Sequence, residues 1–375
     1  MEEVRHLYAP LEVTLLGQRD SAAAAGGWEF QVEVWNLASF LDLSWLAFDW
    51  VLIDDGDNDG VVAVGVVVLA VPGTRPSSST IASFIVPASS LSLGGQAYMY
   101  VTVNARDKAD GRLVKATQFK LAGSASPSGP DHALVGGSVS VGSVGSQPQL
   151  AVRESDGNEI KVSAADGVVI SFSRSHGCIS MLKIDDDVII ASSFDGPSHH
   201  LWRAPTDNDE AGLNVGIPKW LAKIVKKYPN PLWSYAERWR YAGLDRLQSH
   251  TTSAIDLLSD DGGKFEFVVK SELKPEGSDS VRAMATTSYT VDRDGSVRID
   301  VEIDCSDVAV PTLARVGMRM RLAAGMRSIK FFGRGPHENY PDRKASAHFG
   351  VHESSVAAQV VPYLLRTTLV YNSVA

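Results

Sequence analysis

The sequence predicts an all-β protein. Short segments alternate apolar and polar side chains or are rich in β-branched residues, as at residues 30–35, 98–103 and 297–303. Turn-forming Gly, Asp, Asn and Ser residues separate such segments at intervals of about ten residues. Alternation places one apolar face of a strand toward a core. Spacing this close is typical of β-sandwiches and does not fit the longer βαβ repeat.

The first part of the chain contains a hairpin signal. Residues 45–51 and 61–69 are strand-like, and the Asp-Asn-Asp-Gly sequence before the second strand supplies a turn. Residues 55–60 also match the D-x-D-x-D-G start of an EF-hand calcium loop. That loop needs a bidentate Glu where Val66 stands, and it needs flanking helices that the pattern does not show. We therefore predict a plain hairpin turn.

The second part of the chain begins with a meander. Residues 170–184 contain two strand-like segments, an Asp-Asp-Asp turn follows, and residues 188–190 return. Helical periodicity is convincing only at residues 218–227. We therefore predict one short helix there among strands.

A change of composition divides the chain into domains. Residues 123–149 are rich in Gly, Ser and Pro and contain no Phe, Tyr or Trp. Such a segment buries too little apolar surface to offset its ordering entropy, so we predict a flexible linker. Residues 1–122 then have the size of an immunoglobulin-like β-sandwich, with Trp45 or Trp50 as its core tryptophan. Residues 150–375 form a second, larger unit of strands.

Composition also limits the partners and the compartment. A net charge of −9 argues against nucleic acid or an anionic membrane as a main partner. No stretch approaches the roughly 20 apolar residues that span a bilayer, and the N-terminus shows no secretory signal. We therefore expect a cytoplasmic protein. Cys178 and Cys305 lie far apart in apolar segments, and we favour buried free thiols over a disulfide.

Two motifs combine backbone-restricting residues with ionisable side chains. Residues 202–209 read Trp-Arg-Ala-Pro-Thr-Asp-Asn-Asp, and residues 333–343 read Gly-Arg-Gly-Pro-His-Glu-Asn-Tyr-Pro-Asp-Arg. Because glycine allows positive φ and proline fixes φ, we expect a rigid, irregular turn in the second motif. Several ionisable side chains on one rigid loop predict either a binding surface or a buried hydrogen-bond hub. The candidate site residues are Arg203, Asp207, Asn208, Asp209, Arg334, His337, Glu338, Asn339, Asp342 and Arg343.

The carboxylates of both motifs have arginines near them in sequence. Arg203 precedes the first group, and Arg334 and Arg343 flank the second. Charge-assisted pairing lowers a carboxylate pKa, which suits architecture better than general acid catalysis. We therefore expect Arg203 to pair with Asp207 or Asp209, and we expect no catalytic residue in these motifs.

Histidines and tryptophans offer weaker candidates. His199 and His200 are adjacent, and adjacent side chains on a strand point to opposite faces, so we do not expect them to hold one metal ion. For His337, His348 and His352 we favour hydrogen-bonding or surface roles. For most tryptophans we favour core packing over stacking on sugar rings, and we predict no metal site.

In their amino-acid sequences and in their order along the chain, the two motifs resemble the small-chain region of the large, multidomain β-galactosidases of the glycoside hydrolase class. This resemblance implies an immunoglobulin-like β-sandwich followed by an incomplete galactose-mutarotase-like large β-sandwich. It implies β-galactosidase activity, the hydrolysis of terminal non-reducing β-D-galactosides with retention of configuration. Further similar segments lie at residues 8–11, 42–45, 233–239, 242–244, 290–296 and 315–318.

The resemblance also implies where the chemistry lies. In the family a (β/α)₈ barrel supplies both catalytic carboxylates and most ligands of magnesium and sodium. This chain starts where that barrel should already have ended, and it stops at Ala375 before the sandwich should be complete. We therefore expect a non-catalytic C-terminal part with no cofactor of its own. It would meet a galactoside only together with a catalytic barrel, in a large chain or a homo-oligomer.

One further residue is singled out by the resemblance alone. Gly212 is the closest match to a hinge-like glycine in a loop near the mouth of the barrel, although Glu210 and Ala211 shift the spacing by about one residue. The alternative to a part of a hydrolase is a stand-alone carbohydrate-binding or structural β-sandwich protein.

Overall fold

The chain folds as an all-β protein, as the alternation predicts. Its computed structural model describes residues 2–21, 27–54, 61–67, 74–87, 99–121, 149–155, 157–210, 234–258, 262–308, 310, 312–337, 339 and 344–359. These residues fall into two compact units. The first draws on Met1–Gly137 and Ser328–Ser355, and the second draws on Ser138–Arg327 and Val356–Val370.

The first unit begins with a short helix, α1 (Glu2–Leu7), and continues as a two-sheet sandwich of antiparallel strands. Its strands pair in the orders β1-β2-β5 and β4-β3-β6-β7. The predicted hairpin is confirmed, because β3 pairs with β4; residues 55–60 of its turn lie outside the described part. The strands are β1 (Leu11–Ser21), β2 (Gly27–Asn36), β3 (Leu46–Asp54), β4 (Val61–Val67), β5 (Ser79–Val86), β6 (Met99–Asp107) and β7 (Leu113–Lys120).

The core of this sandwich follows from the alternation. Phe30 on β2 and Phe84 on β5 stack with ring centroids 5.2 Å apart, and Trp50 on β3 meets Phe84 from the opposite sheet at 6.3 Å. Trp50 is 4% exposed, whereas Trp45 is only partly buried against this core. Of the two tryptophans predicted for the core, Trp50 is therefore the central one.

The second unit contains a five-stranded and a four-stranded antiparallel sheet, in the orders β12-β11-β10-β9-β8 and β14-β15-β16-β17. The predicted meander is confirmed as β10, β11 and β12, and a two-stranded ladder joins β13 to β18. The strands are β8 (Ala151–Ser155), β9 (Glu159–Ser163), β10 (Val168–Ser173), β11 (Cys178–Ile184), β12 (Asp187–Ile190), β13 (Ser198–His199), β14 (Leu247–Leu258), β15 (Lys264–Pro275), β16 (Ala283–Asp292), β17 (Val297–Asp304) and β18 (Met318–Arg319).

An aromatic core joins the two larger sheets of this unit. The ring of Phe172 on β10 lies 5.6 Å from Phe265, 5.1 Å from Phe267 and 5.5 Å from Tyr289. All four residues are at most 1% exposed. Each fully buried side chain of this size contributes about 1.5–3 kcal/mol of hydrophobic stabilisation.

Two α-helices occur in the described part of the second unit, α2 (Asp207–Glu210) and α3 (Tyr235–Ala242), together with short 3-10 helices at Leu244–Arg246 and Ala357–Gln359. The prediction that only residues 218–227 are helical is wrong, because α3 is a helix as well. Residues 218–227 themselves lie outside the described part of the chain. A capping box starts α3. Ser234 Oγ accepts from Glu237 N–H, and the Glu237 carboxylate accepts from Ser234 N–H. Gly243 ends the helix in the left-handed conformation, with φ 77°.

The glycine-rich second motif ends a regular strand. Strands β19 (Ser328–Gly335) and β20 (His348–Ser355) form an antiparallel hairpin, with Gly333 opposite Gly350 and Gly335 opposite His348. The predicted irregular backbone is therefore wrong at the first three motif residues. Gly335 is needed for space instead, since a Cβ there would lie 2.8 Å from the His352 ring. Within the first unit the hairpin packs on β6, where Phe349 stacks on Tyr100 at 4.7 Å.

Both cysteines are free, as predicted, with Cys178 buried and Cys305 half-buried. Within the described residues, no helix combines the length and hydropathy needed to cross a bilayer. Residues 122–148 lie outside the described part, so the linker and the division into residues 1–122 and 150–375 stay predictions.

Candidate functional site

The first motif closes on itself through a bidentate ion pair. Arg203 Nη1 donates to Asp209 Oδ2 at 2.5 Å, and Arg203 Nη2 donates to Oδ1 at 2.9 Å. Thr206 donates to the same Oδ2 twice, from its backbone N–H at 2.7 Å and from its hydroxyl at 2.8 Å. Of the two carboxylates considered for Arg203, the structure therefore selects Asp209, and both oxygens of Asp209 accept hydrogen bonds.

The environment of Asp209 keeps its carboxyl ionised. The residue is 8% exposed, and burial by itself would raise its pKa. Hydrogen bonds from Arg203 and Thr206, with the positive charge of Arg203, outweigh burial and lower the pKa of Asp209 below its ordinary value. A general acid needs a raised pKa near the working pH, so Asp209 is suited to holding the loop and not to donating a proton.

Arg203 ties this loop to the rest of the second unit. Its Nε donates to the Ala314 carbonyl at 3.0 Å. Its guanidinium lies 5.4 Å from the ring centre of Trp239 on α3, within cation–π range. Trp239 in turn donates from Nε1 to the Thr312 carbonyl at 2.8 Å. A single arginine thus connects the motif, helix α3 and the strand-free segment at residues 312–317.

A reciprocal contact links α3 back to the motif. Arg240 lies 5.9 Å from the ring centre of Trp202 and pairs with Glu210 at 2.6 Å. Trp202 and Trp239 meet edge to face at 6.4 Å. Each element therefore places an arginine over the other's tryptophan. The sequence signal for this arrangement was the capping box at Ser234, which fixes the start of α3 and so the direction in which Trp239 points.

The second motif lies in the first unit and fixes the turn between β19 and β20. Arg334 Nη1 donates to the Ala347 carbonyl at 3.0 Å, and its guanidinium lies 4.5 Å from the ring centre of Phe349. Asn339, which is 6% exposed, donates to the Arg334 carbonyl at 3.2 Å. His337 Nε2 lies 2.8 Å from the Ser346 hydroxyl. The described members of this motif thus bind backbone, ring and hydroxyl groups.

The remaining predicted site residues divide between one that is exposed and several outside the described part. Asn208 is exposed on α2. The side chain of Asp207 and the whole of Gly212, Glu338, Asp342 and Arg343 lie outside the described part of the chain. Their roles, and the predicted pairing of Arg334 or Arg343 with a carboxylate, stay predictions.

The adjacent histidines of the second unit occupy different surroundings. His199 Nε2 lies 2.9 Å from the Thr287 hydroxyl, and burial lowers the pKa of His199. Burial, with the nearby charges of Arg319 and Arg315, lowers the pKa of His200 to about 4. Both imidazoles are therefore neutral at physiological pH.

Comparison with known proteins relates this sequence to β-galactosidases. A family model described as the β-galactosidase small chain matches residues 164–366, more than half of the chain. The β-galactosidase of Photobacterium profundum is 31% identical over 173 residues, 46% of this chain and 15% of that protein. The β-galactosidase of Priestia megaterium is 30% identical over 194 residues, 52% of this chain and 16% of that protein. The match therefore spans less than a fifth of the length of these curated relatives.

Proposed function

We infer that this chain, which belongs to the β-galactosidase small chain family, is a non-catalytic part of a β-galactosidase. The whole enzyme would hydrolyse terminal non-reducing β-D-galactosides with retention of configuration. Retention requires two carboxyl groups about 5–5.5 Å apart, one as nucleophile and one as acid/base. In this proposal a (β/α)₈ barrel outside these residues supplies both groups, and the chain provides supporting β-sandwiches.

The saturation of Asp209 is the observation that carries this proposal. It is the one carboxylate of the two motifs whose side chain the structure describes, it is 8% exposed, and four hydrogen bonds from Arg203 and Thr206 occupy it. A nucleophile needs an accessible oxygen, and an acid needs a proton at working pH. Asp209 meets neither requirement, and its contacts are those of a structural support.

The metal ions implied by the family belong to the barrel in this proposal. Among the described residues, no group of three or more His, Cys, Asp and Glu side chains is placed to hold an ion. The galactoside, and a large chain or further copies of this one, would be met only with the barrel present. We place Gly212 at the edge of that active site, where it would act as a hinge.

Sequencing of the transcript tests this proposal. We expect the reading frame to encode a (β/α)₈ barrel upstream of Met1, or a separate large chain to be encoded beside it, with paired carboxylates on the barrel. An isolated reading frame with no barrel partner would contradict the proposal. It would favour a stand-alone carbohydrate-binding or structural β-sandwich, and titration of the purified chain with galactose would then separate these two roles.

A further inference from the structure

A cavity of about 360 Å³ lies within the first unit, apart from the Arg203–Asp209 pair. Helix α1, strands β3, β6 and β7 and the β19–β20 hairpin line it, and it is partly open to solvent. Its apolar wall includes Val51, Ile53, Val114, Phe349 and Val351. A volume of roughly 300–1,000 Å³ is usual for small-molecule sites, so the space suits a small ligand.

The polar side chains that line this cavity are basic or neutral. No described residue lining it is acidic. Two carboxylates lie beside the lining. Glu12 on β1 is exposed and acts on Lys115 from outside the cavity, and Asp49 on β3 accepts from the lining Asn104 at 2.6 Å and pairs with Arg106 at 2.7 Å. The nitrogen-bearing side chains are those of Arg5, His6, Asn104, Lys115, His348 and His352.

Three elements bring these groups together. Lys115 on β7 donates from Nζ to the His6 carbonyl of α1 at 2.9 Å. The His6 and His348 rings lie 6.0 Å apart, nearly perpendicular, and His352 Nε2 lies 3.3 Å from the His348 carbonyl. The two ends of the chain therefore contribute to one imidazole and ammonium cluster.

The cluster is held at an electrostatic cost. Burial lowers the pKa of Lys115. Burial, together with the positive charges of His6, Arg334, His337 and Lys115, lowers the pKa of His348 to about 4. An anion beside these groups would offset both the burial and the mutual repulsion. A neutral sugar would leave the repulsion in place.

We propose that this cavity binds a small organic anion, whose carboxylate or phosphate meets Lys115 and the histidines while its apolar part contacts the cavity wall. The proposal concerns the first unit only and is independent of the proposed β-galactosidase role. Its supporting features are the volume of the partly open cavity, the absence of acidic groups among the described lining residues, and the convergence of basic groups from α1, β7 and β20.

Titration calorimetry of the full chain with benzoate and with phenyl phosphate tests the site, with benzyl alcohol as the neutral probe. We expect both anions to bind and benzyl alcohol to bind at least about tenfold more weakly. Lys115→Met should weaken anion binding by about tenfold. Lys120→Met, on the exposed end of the same strand and outside the cavity, should leave binding unchanged.

The pH dependence supplies a second readout that does not rely on Lys115. A bound anion favours protonated His348, so the affinity for benzoate, whose carboxylate stays ionised, should rise as the pH falls from about 8 to about 5.5. His348→Gln should reduce this pH dependence. Absence of anion binding, equal binding of benzyl alcohol, or equal loss in Lys115→Met and Lys120→Met would each overturn the proposal.

Discussion

Replacement of Arg203 by alanine should lower the free energy of unfolding of the second unit by about 3 kcal/mol. The change removes the bidentate partner of Asp209 and leaves a carboxylate whose side chain is only 11% exposed. Loss of one partner of a buried pair costs about 3–5 kcal/mol, and the lower value applies because the Arg203 side chain is 29% exposed. Urea unfolding followed by tryptophan fluorescence would measure the effect.

A matched control separates this pair from ordinary surface charges. Arg240→Ala breaks the pair with Glu210, whose side chains are 43% and 47% exposed, and it should cost no more than about 1 kcal/mol. The double variant Arg203→Ala/Asp209→Asn should recover part of the loss, because no unpaired charge remains. Equal stability of Arg203→Ala and the parent chain would contradict the assignment of Asp209 as a structural support.

The Arg203–Asp209 pair also predicts how the free energy of unfolding depends on pH. The pKa of Asp209 is lowered in the folded state, so its contribution is present above the unfolded pKa of about 3.9 and is lost as pH falls through the folded value. The stability difference between parent and Arg203→Ala should therefore be largest near neutral pH and shrink in acid.

Replacement of Trp239 by alanine should have a comparable or larger effect. Trp239 is 3% exposed and contacts Trp202, Tyr235 and the Arg203 guanidinium. The change creates a cavity and leaves the Thr312 carbonyl without its indole donor. Large-to-small changes at buried aromatic residues cost about 3–5 kcal/mol, which a shift of the urea midpoint would report.

Tyr241 provides the control for Trp239. It lies on the same helix and is 60% exposed, so Tyr241→Ala should change stability by no more than about 0.5 kcal/mol. If Trp239→Ala and Tyr241→Ala have equal effects, α3 is not packed as the structure has it.

The sequence predicted strands well because a half-buried strand leaves a period of two in its own residues. The β3–β4 hairpin was predicted from that local signal, whereas the choice between Trp45 and Trp50 as the core tryptophan was left open. Helix α3 was not predicted from apolar periodicity, because it is short and only Ala236, Trp239 and Ala242 are buried. Its capping box was the better signal, since the hydrogen bonds of a helix start depend on neighbours in sequence.

The candidate site was predictable only where partners are close in sequence. Arg203 and Asp209 are six residues apart, so their pairing was foreseeable, but the choice between Asp207 and Asp209 depended on the single turn of α2. Gly335 was expected to need a special backbone, whereas it makes room for His352 across the hairpin. The meeting of His6 with His348 has no local signal, because it joins opposite ends of the chain.

Turnover of a chromogenic β-galactoside by the purified 375-residue chain is the most direct measurement of whether these residues are catalytic. The parent chain and Asp209→Asn would be compared with a mock purification and with the Priestia megaterium β-galactosidase. We expect neither form of the chain to exceed the mock purification, while the whole enzyme turns over. Turnover well above background by the parent chain, abolished in a folded Asp209→Asn variant, would contradict a non-catalytic role.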